Sequence, residues 1–148
     1  MRELSAKYGY SDITQFLVEY VSEHPEVDNQ VDEDQRIFGK ENDDFVLDAH
    51  LGFHFVPDSI RICLICDLEE AARRILDDSG RTTETATNIK DSIVSSQKRR
   101  DTMHENFMSL YQVDIDDHSN FDLVLDTTSL SSDEVFERAS AFIDLQRT

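Results

Sequence analysis

The sequence predicts an α/β domain in which a parallel sheet carries helices on both faces. Three short apolar runs, at 45–47, 60–66 and 121–126, have the length and composition of buried strands. The segments around them repeat apolar residues at the spacing of a helix. Because strands that alternate with helices are typical of parallel sheets, these two observations together indicate the class.

Two predicted helices precede the first strand. The first carries one apolar stripe, at positions separated by three or four residues: Ile13, Phe16, Leu17, Tyr20 and Val21. The second begins near Pro25, which is a favoured first-turn residue, and most of its remaining surface is acidic.

Three further helices follow the second and third strands. Asp67 has the side chain of an N-cap directly after the second strand. A longer helix is predicted from about 87 to 110. Ser131 and Glu134 have the spacing of a capping box and predict the start of the last helix.

Length and charge exclude several functional classes. The 148 residues fit one domain, and the formal net charge of −18 argues against binding to nucleic acid or to an anionic membrane surface. No apolar run approaches the roughly 20 residues of a membrane span. Two cysteines and an opening segment without the apolar stretch of an export signal predict a cytoplasmic protein.

The acidity is unevenly distributed. Residues 1–58 carry a net charge of −10 and residues 109–148 carry −7, whereas residues 59–108 carry only −1 and hold eight of the 14 basic residues. Clustered arginines can form a local anion site. They can also be solvated helix faces that balance nearby acids, and the spacing favours this second interpretation.

Three groups of potential metal ligands occur: Cys63 with Cys66, His50 with His54, and Asp114 with Asp116 and Asp117. The two cysteines would point to opposite faces of a strand and could not share a metal easily. The two histidines lack the helical H-E-x-x-H pattern of a zinc site. The three aspartates lack the glycine and the final glutamate of a calcium-binding loop. We therefore predict core thiols, a solvated acidic loop and no metal site.

Several stretches, in order, resemble the cytidylate kinase family in the form found in archaea and some bacteria. They are RELSAKYGYS (2–11), EHPEVD (23–28) with VD (31–32), FVLDAHLGFHF (45–55), CDLEEAARRI (66–75), LYQVD (110–114) and SNFDLVLDTT (119–128). Each stretch is weak alone, but their order and spacing cover almost the whole chain.

The resemblance implies the P-loop NTPase-like fold of nucleoside monophosphate kinases and transfer of a phosphoryl group from ATP to CMP or dCMP, with Mg²⁺. It divides the single domain 1–148 into a helical monophosphate-binding part (1–42), core strands (43–67), lid-side helices (68–110) and the last strand with the C-terminal helix (111–148).

The resemblance also implies site residues. Two lid arginines would act on the ATP phosphates as catalytic residues, Arg74 and Arg81. Four residues would bind the substrate: Arg2, Asp48, His50 and Arg99. The family usually has arginines where this chain has His50 and Asn106, so permanent positive charge is lost at both positions.

The family's first strand and glycine-rich phosphate loop have no counterpart in the sequence, since G-x-x-x-x-G-K-[ST] does not occur. Met1 as an internal methionine of a longer protein, a fragment, or a relative that no longer catalyses would each explain this. We expect residues 1–148 alone to bind CMP weakly and ATP hardly at all.

Open sheet edges would follow from the missing strand and predict self-association. The alternative function is therefore a non-catalytic interaction domain derived from the same fold.

Overall fold

A computed structural model describes residues 6–10, 19, 24, 26–78 and 88–147. Within these ranges the elements follow in the order α1 (Glu26–Glu41), α2 (Gly52–Phe55), β1 (Ile62–Ile65), α3 (Leu68–Asp77), α4 (Ile89–Tyr111), β2 (Leu123–Asp126) and α5 (Ser132–Gln146), with a 3₁₀ turn at His118–Asn120. The apolar stripe of the first predicted helix lies outside the described residues. Among the helices in these ranges, none is both long and apolar enough to cross a bilayer.

Contacts divide the chain into two compact units, unit 1 (Met1–Pro57) and unit 2 (Asp58–Thr148). The single-domain organisation over 1–148 stays a prediction.

Among the described residues of unit 1, the helices α1 and α2 pack against each other. The buried apolar side chains of this described part are Leu51, Phe55 and Val56. The Arg36 guanidinium lies 4.6 Å from the centre of the Phe55 ring, a cation–π contact. Gly39 of α1 lies so close to Val56 that a Cβ atom at this position would be 2.7 Å from Cγ2 of the valine. The helix predicted to begin near Pro25 is confirmed as α1.

Two predictions in unit 1 are wrong. Residues 45–47 are not a strand: no strand of the described residues pairs with them, and Val46 is 95% exposed. The backbone N–H and C=O groups of a strand need a partner strand for their hydrogen bonds, and an apolar run does not ensure that such a partner is present. Gly52–Phe55, where the sequence predicts no helix, is one helical turn in which the amides of Phe55 and Val56 donate to the carbonyls of Leu51 and Gly52.

Unit 2 contains the parallel strand pair that the sequence predicts. β1 pairs with β2 in parallel, with Ile62 opposite Leu123 and Ile65 opposite Asp126. Helices follow both strands, which confirms the α/β class. The Asp67 carboxylate caps α3 by accepting from the amides of Glu69 and Glu70, and Ser131 with Glu134 forms the expected capping box of α5.

The helices α3 and α4 pack against each other. The most buried residue of each is small: Ala72 of α3 is 1% exposed and Ser92 of α4 is completely buried. Within the described residues, the Ser92 hydroxyl finds no hydrogen-bond partner. A buried hydroxyl without a partner loses its hydration and gains nothing in return.

We expect Ser92→Ala to raise the free energy of unfolding by about 1 kcal/mol, because the substitution removes that unsatisfied hydroxyl. Urea denaturation monitored by circular dichroism measures the change. Ser95→Ala, at an exposed position of the same helix, is the matched control for helix propensity. Equal stabilisation by the two substitutions would contradict the explanation.

An ion pair joins the beginnings of the two strands. Both oxygens of Asp122 accept from the Arg61 side chain, at 2.7 and 3.1 Å, and the Arg61 amide donates to Asp122 Oδ2 at 2.8 Å. The hydrogen bonds from the Arg61 side chain, followed by that from its backbone amide, lower the pKa of Asp122. The ionised carboxylate therefore stabilises the folded unit.

We expect Asp122→Asn to lower the melting temperature at neutral pH by a few degrees, and the difference from the unmodified chain to close as the pH falls below about 4. The pKa of this carboxyl is lower in the folded chain than in the unfolded chain. Its contribution to stability is therefore complete when the pH is above the unfolded pKa, and it is lost as the pH falls through the folded pKa. Thermal melts from pH 2 to pH 7 test this. Asp101→Asn, on the exposed surface of α4, is the control and should show no such convergence.

Candidate functional site

The carboxyl ends of β1 and β2 lie at the same edge of the sheet because the strands are parallel. β1 is followed by the N-cap of α3, and β2 is followed by a turn at 127–130 that leads into α5. In open α/β sheets, ligands bind outside this edge. The segments that follow the two strands are therefore the candidate site of unit 2.

Two threonines join these segments. The Thr127 amide and hydroxyl both donate to the Ile65 carbonyl, at 2.8 and 3.0 Å. The Asp67 amide donates to the Thr128 hydroxyl at 2.9 Å. The Thr128 hydroxyl and amide donate in turn to Asp126 and lower the pKa of that carboxyl. The turn after β2 is thereby fixed to the end of β1.

Arg74 of α3 holds the same turn from the other side. Its Nη2 donates to the carbonyls of Thr127, Thr128 and Leu130 at 2.8, 3.1 and 3.3 Å. Its Nε donates to Glu70 Oε1 at 2.9 Å. The side chain remains 42% exposed, so it is held by the turn and is also accessible from solvent.

An open groove of about 530 Å³ lies beside Arg74. Its apolar wall is formed by Leu64, Leu130 and Val135, and Thr127, Ser131 and Ser132 provide hydroxyl groups. The volume is within the range of small-molecule sites. This arrangement can hold a flat ring against the aliphatic side chains and present a guanidinium to a negatively charged group.

A second cluster of charged groups lies at the C-terminal half of α4. His104 Nδ1 is 3.1 Å from Asp116 Oδ2 and 3.6 Å from Asp114 Oδ1, and Arg100 pairs with Asp116 Oδ1. Burial acts to raise the pKa of Asp116, but hydrogen bonds from Arg100 and His104 outweigh it and the pKa is lowered. Asp114 and Asp116 could be recognised in the sequence as potential ligands, but His104 could not, because its ten-residue separation from Asp114 forms no motif.

The site residues predicted from the resemblance are distributed over both units. Arg2 and Arg81 lie outside the described residues. Asp48 and His50 are exposed in the segment before α2 of unit 1, and Arg99 is exposed on α4 of unit 2. Arg74 is the predicted site residue that borders the groove. The roles predicted for these residues stay predictions.

Comparison with known proteins gives relatives along most of the chain. The chain is 32% identical to a cytidylate kinase of Pyrobaculum aerophilum over 132 residues, which are 88% of this chain and 67% of the relative. A cytidylate kinase of Pyrobaculum islandicum is 31% identical over 144 residues, 96% of this chain and 73% of the relative. The chain belongs to the cytidylate kinase family.

The chain also has a relative that is not named as a cytidylate kinase. It is 33% identical over 132 residues to an S-adenosylmethionine-dependent nucleotide dehydratase of Lacinutrix mariniflava. The match covers 87% of this chain but only 25% of that relative, so this chain spans a quarter of the dehydratase. No family model matches the chain, and no solved structure matches it.

Proposed function

We propose that residues 1–148 form the nucleotide-binding part of a phosphotransferase that moves the terminal phosphoryl group of ATP to CMP or dCMP. The observation that carries the proposal is the groove at the carboxyl edge of the parallel strands, bordered by Arg74, in a chain of the cytidylate kinase family. The P-loop NTPase fold is part of the proposal.

The groove fits the base and ribose of the donor nucleotide. Leu64, Leu130 and Val135 offer apolar contact to a ring, and the hydroxyl of Ser132 offers a hydrogen bond, whereas that of Ser131 is used in the capping box of α5. Phosphoryl transfer depends on positioning and charge neutralisation, so arginines beside the phosphates are suited to it. Arg74 and Arg81 are proposed for that role.

Mg²⁺ does not fit the described part of the groove. It prefers several oxygen ligands in octahedral geometry, whereas the carboxylate at the groove, Glu70, already pairs with Arg73 and Arg74. The metal of such a reaction would be held by the nucleotide phosphates and by residues outside the groove.

Arg2, Asp48, His50 and Arg99 are proposed for the acceptor nucleotide on the family resemblance alone. Among them, Asp48 and His50 of unit 1 are exposed and close in sequence. Because an imidazole carries no permanent positive charge, His50 would hold a monophosphate less strongly than an arginine does.

The test uses protein expressed from the complete reading frame, assayed for formation of CDP from CMP and ATP, with dCMP and UMP as competing acceptors. We expect CMP or dCMP to be phosphorylated, and His50→Arg to lower the KM for CMP several-fold by restoring a permanent charge. His54→Arg is the matched control and should leave that KM unchanged. If the folded protein forms no diphosphate and His50→Arg binds no CMP in equilibrium dialysis, the proposal is wrong.

A second candidate function is an interaction domain that pairs with another copy through β1. The carbonyls of Arg61 and Ile65 accept hydrogen bonds from backbone amides at the two ends of β2. Because backbone groups alternate in direction along a strand, those of Ile62 and Leu64 point to the opposite edge of β1. No strand of the described residues pairs with that edge. Leu64 is 55% exposed. An edge of this kind favours strand addition.

Sedimentation of the chain at increasing salt tests this second candidate. The net charge of −18 opposes self-association, so dimer formation should increase as salt screens the repulsion. Leu64→Lys should abolish it, and Leu68→Lys, at another exposed leucine, should not. A monomer at every concentration and salt would exclude this function.

A further inference from the structure

The cluster of His104, Asp114 and Asp116 has the composition of a transition-metal site. One ligand atom from each residue can be chosen so that the three atoms lie within 4.8 Å of one another. We propose that this cluster binds one divalent transition-metal ion, of which Zn²⁺ is the best fit, and that the ion joins α4 to the turn that follows it. The proposal does not depend on the kinase function.

Two of the three separations are close to those of metal ligands. With bonds of about 2.0–2.1 Å to nitrogen and oxygen, ligands at the corners of a tetrahedron are about 3.3–3.4 Å apart. His104 Nδ1 lies 3.1 Å from Asp116 Oδ2 and 3.6 Å from Asp114 Oδ1, on either side of that value. The third separation, between the two carboxylate oxygens, is at most 4.8 Å, so a short movement of one carboxylate can close the set around an ion. The imidazole coordinates through an unprotonated Nδ1.

The backbone after α4 positions the two carboxylates. Gln112 adopts a left-handed conformation with φ of 56°, so the chain reverses and returns along the last turns of the helix. The Asp116 amide donates to Asp114 Oδ1 at 2.8 Å, and Asn120 Nδ2 donates to the Asp114 carbonyl at 3.0 Å. These contacts hold both acids beside His104 when no metal is bound.

Arg100 acts on the cluster in two opposing ways. It pairs with Asp116 Oδ1 and leaves Oδ2 directed to His104, an arrangement typical of groups that orient a metal ligand. Its positive charge also repels a cation. The two carboxylates compensate for that charge, and the site with a divalent ion and Arg100 carries a net charge of +1.

The donor set selects the metal. One imidazole nitrogen with two carboxylate oxygens suits Zn²⁺, Co²⁺ and Ni²⁺, whereas Mg²⁺ and Ca²⁺ prefer oxygen ligands alone. His104 is about one-third exposed and the carboxylates are more exposed, so water can complete the coordination. Cys63 lies close enough to experience the charges of Arg100 and Asp116, but burial raises the pKa of its thiol and disfavours the metal-binding thiolate.

The experiment is a calorimetric titration of ZnCl₂ into the tag-free chain, previously freed of metal. We expect one ion per chain with micromolar affinity and at least a tenfold weaker affinity for His104→Gln and for Asp116→Asn. His118→Gln is the matched control, because His118 is an exposed histidine of the same region outside the cluster. A titration with MgCl₂ should show no comparable binding.

The absorption spectrum of bound Co²⁺ provides a second measurement. We expect the visible bands of a four- or five-coordinate ion without a thiolate charge-transfer band, and loss of the visible bands in His104→Gln. A thiolate band that disappears in Cys63→Ser would overturn the proposal, as would equal weakening by His104→Gln and His118→Gln. Circular dichroism of each variant shows that it is folded, and a folded His104→Gln that retains full affinity also overturns it.

Discussion

Gly39→Ala is expected to lower the free energy of unfolding by about 1–3 kcal/mol, although alanine is the better helix former by about 1 kcal/mol. The new methyl group would lie 2.7 and 2.8 Å from the two Cγ atoms of Val56. Valine is stiff and Val56 is buried, so its side chain cannot easily turn away from the new methyl group.

Urea denaturation of three variants separates crowding from backbone effects. Gly39→Ala with Val56→Ala should recover stability relative to the sum of the single changes, because the smaller residue removes the clash. Gly52→Ala is the matched control: its Cβ would meet Leu47 and Ala49 at 3.5 and 3.6 Å, which is ordinary contact. If Gly39→Ala is as well tolerated as Gly52→Ala, the close approach of α1 to Val56 is not present in solution.

Arg74→Ala is expected to cost about 1–2 kcal/mol of stability and to release the turn at 127–130. The substitution removes one donor from each of three carbonyls and from Glu70, although the Thr127 carbonyl keeps the Leu130 amide and Glu70 keeps Arg73. Lysine keeps the charge but cannot donate in several directions from one planar group, so Arg74→Lys should recover only part of the loss.

Hydrogen exchange at 127–130, together with chemical denaturation, measures this effect. Arg73→Ala is the control, since Arg73 is half exposed and pairs only with Glu69 and Glu70 among the interactions found for it. Its substitution should change stability by less than about 0.5 kcal/mol. Unchanged exchange at the turn in Arg74→Ala would show that the arginine does not hold it.

The helices and the strand pair of unit 2 could be predicted from the sequence because their signals are local. The Asp67 cap, the Ser131 capping box and the β-branched run before Cys66 specify their elements within a few residues. Residues 45–47 carry a similar apolar run and form no strand. Strand formation depends on a pairing partner, and a run of three apolar residues contains no information about one.

The candidate site was predicted less completely. Arg74 could be selected by resemblance, but nothing local indicates that its guanidinium meets the carbonyls of a turn more than 50 residues away. His104 was missed for a related reason: its approach to Asp114 and Asp116 depends on the left-handed conformation of Gln112, a residue that rarely adopts it. Both contacts arise from the folded path of the chain.

Side-chain hydrogen bonds fix the register in which β1 pairs with β2. Thr127 bonds to Ile65 at one end of the pair, and Asp122 bonds to Arg61 at the other. A shift of one four-residue strand by two positions would keep each side chain on its original face of the sheet. The burial of side chains therefore does not by itself determine the register. Such a slip would break side-chain bonds at both extremities at once. The polar residues that flank β1 and β2 therefore determine the register of the strand pair. Their loss would permit pairing in a wrong register during folding.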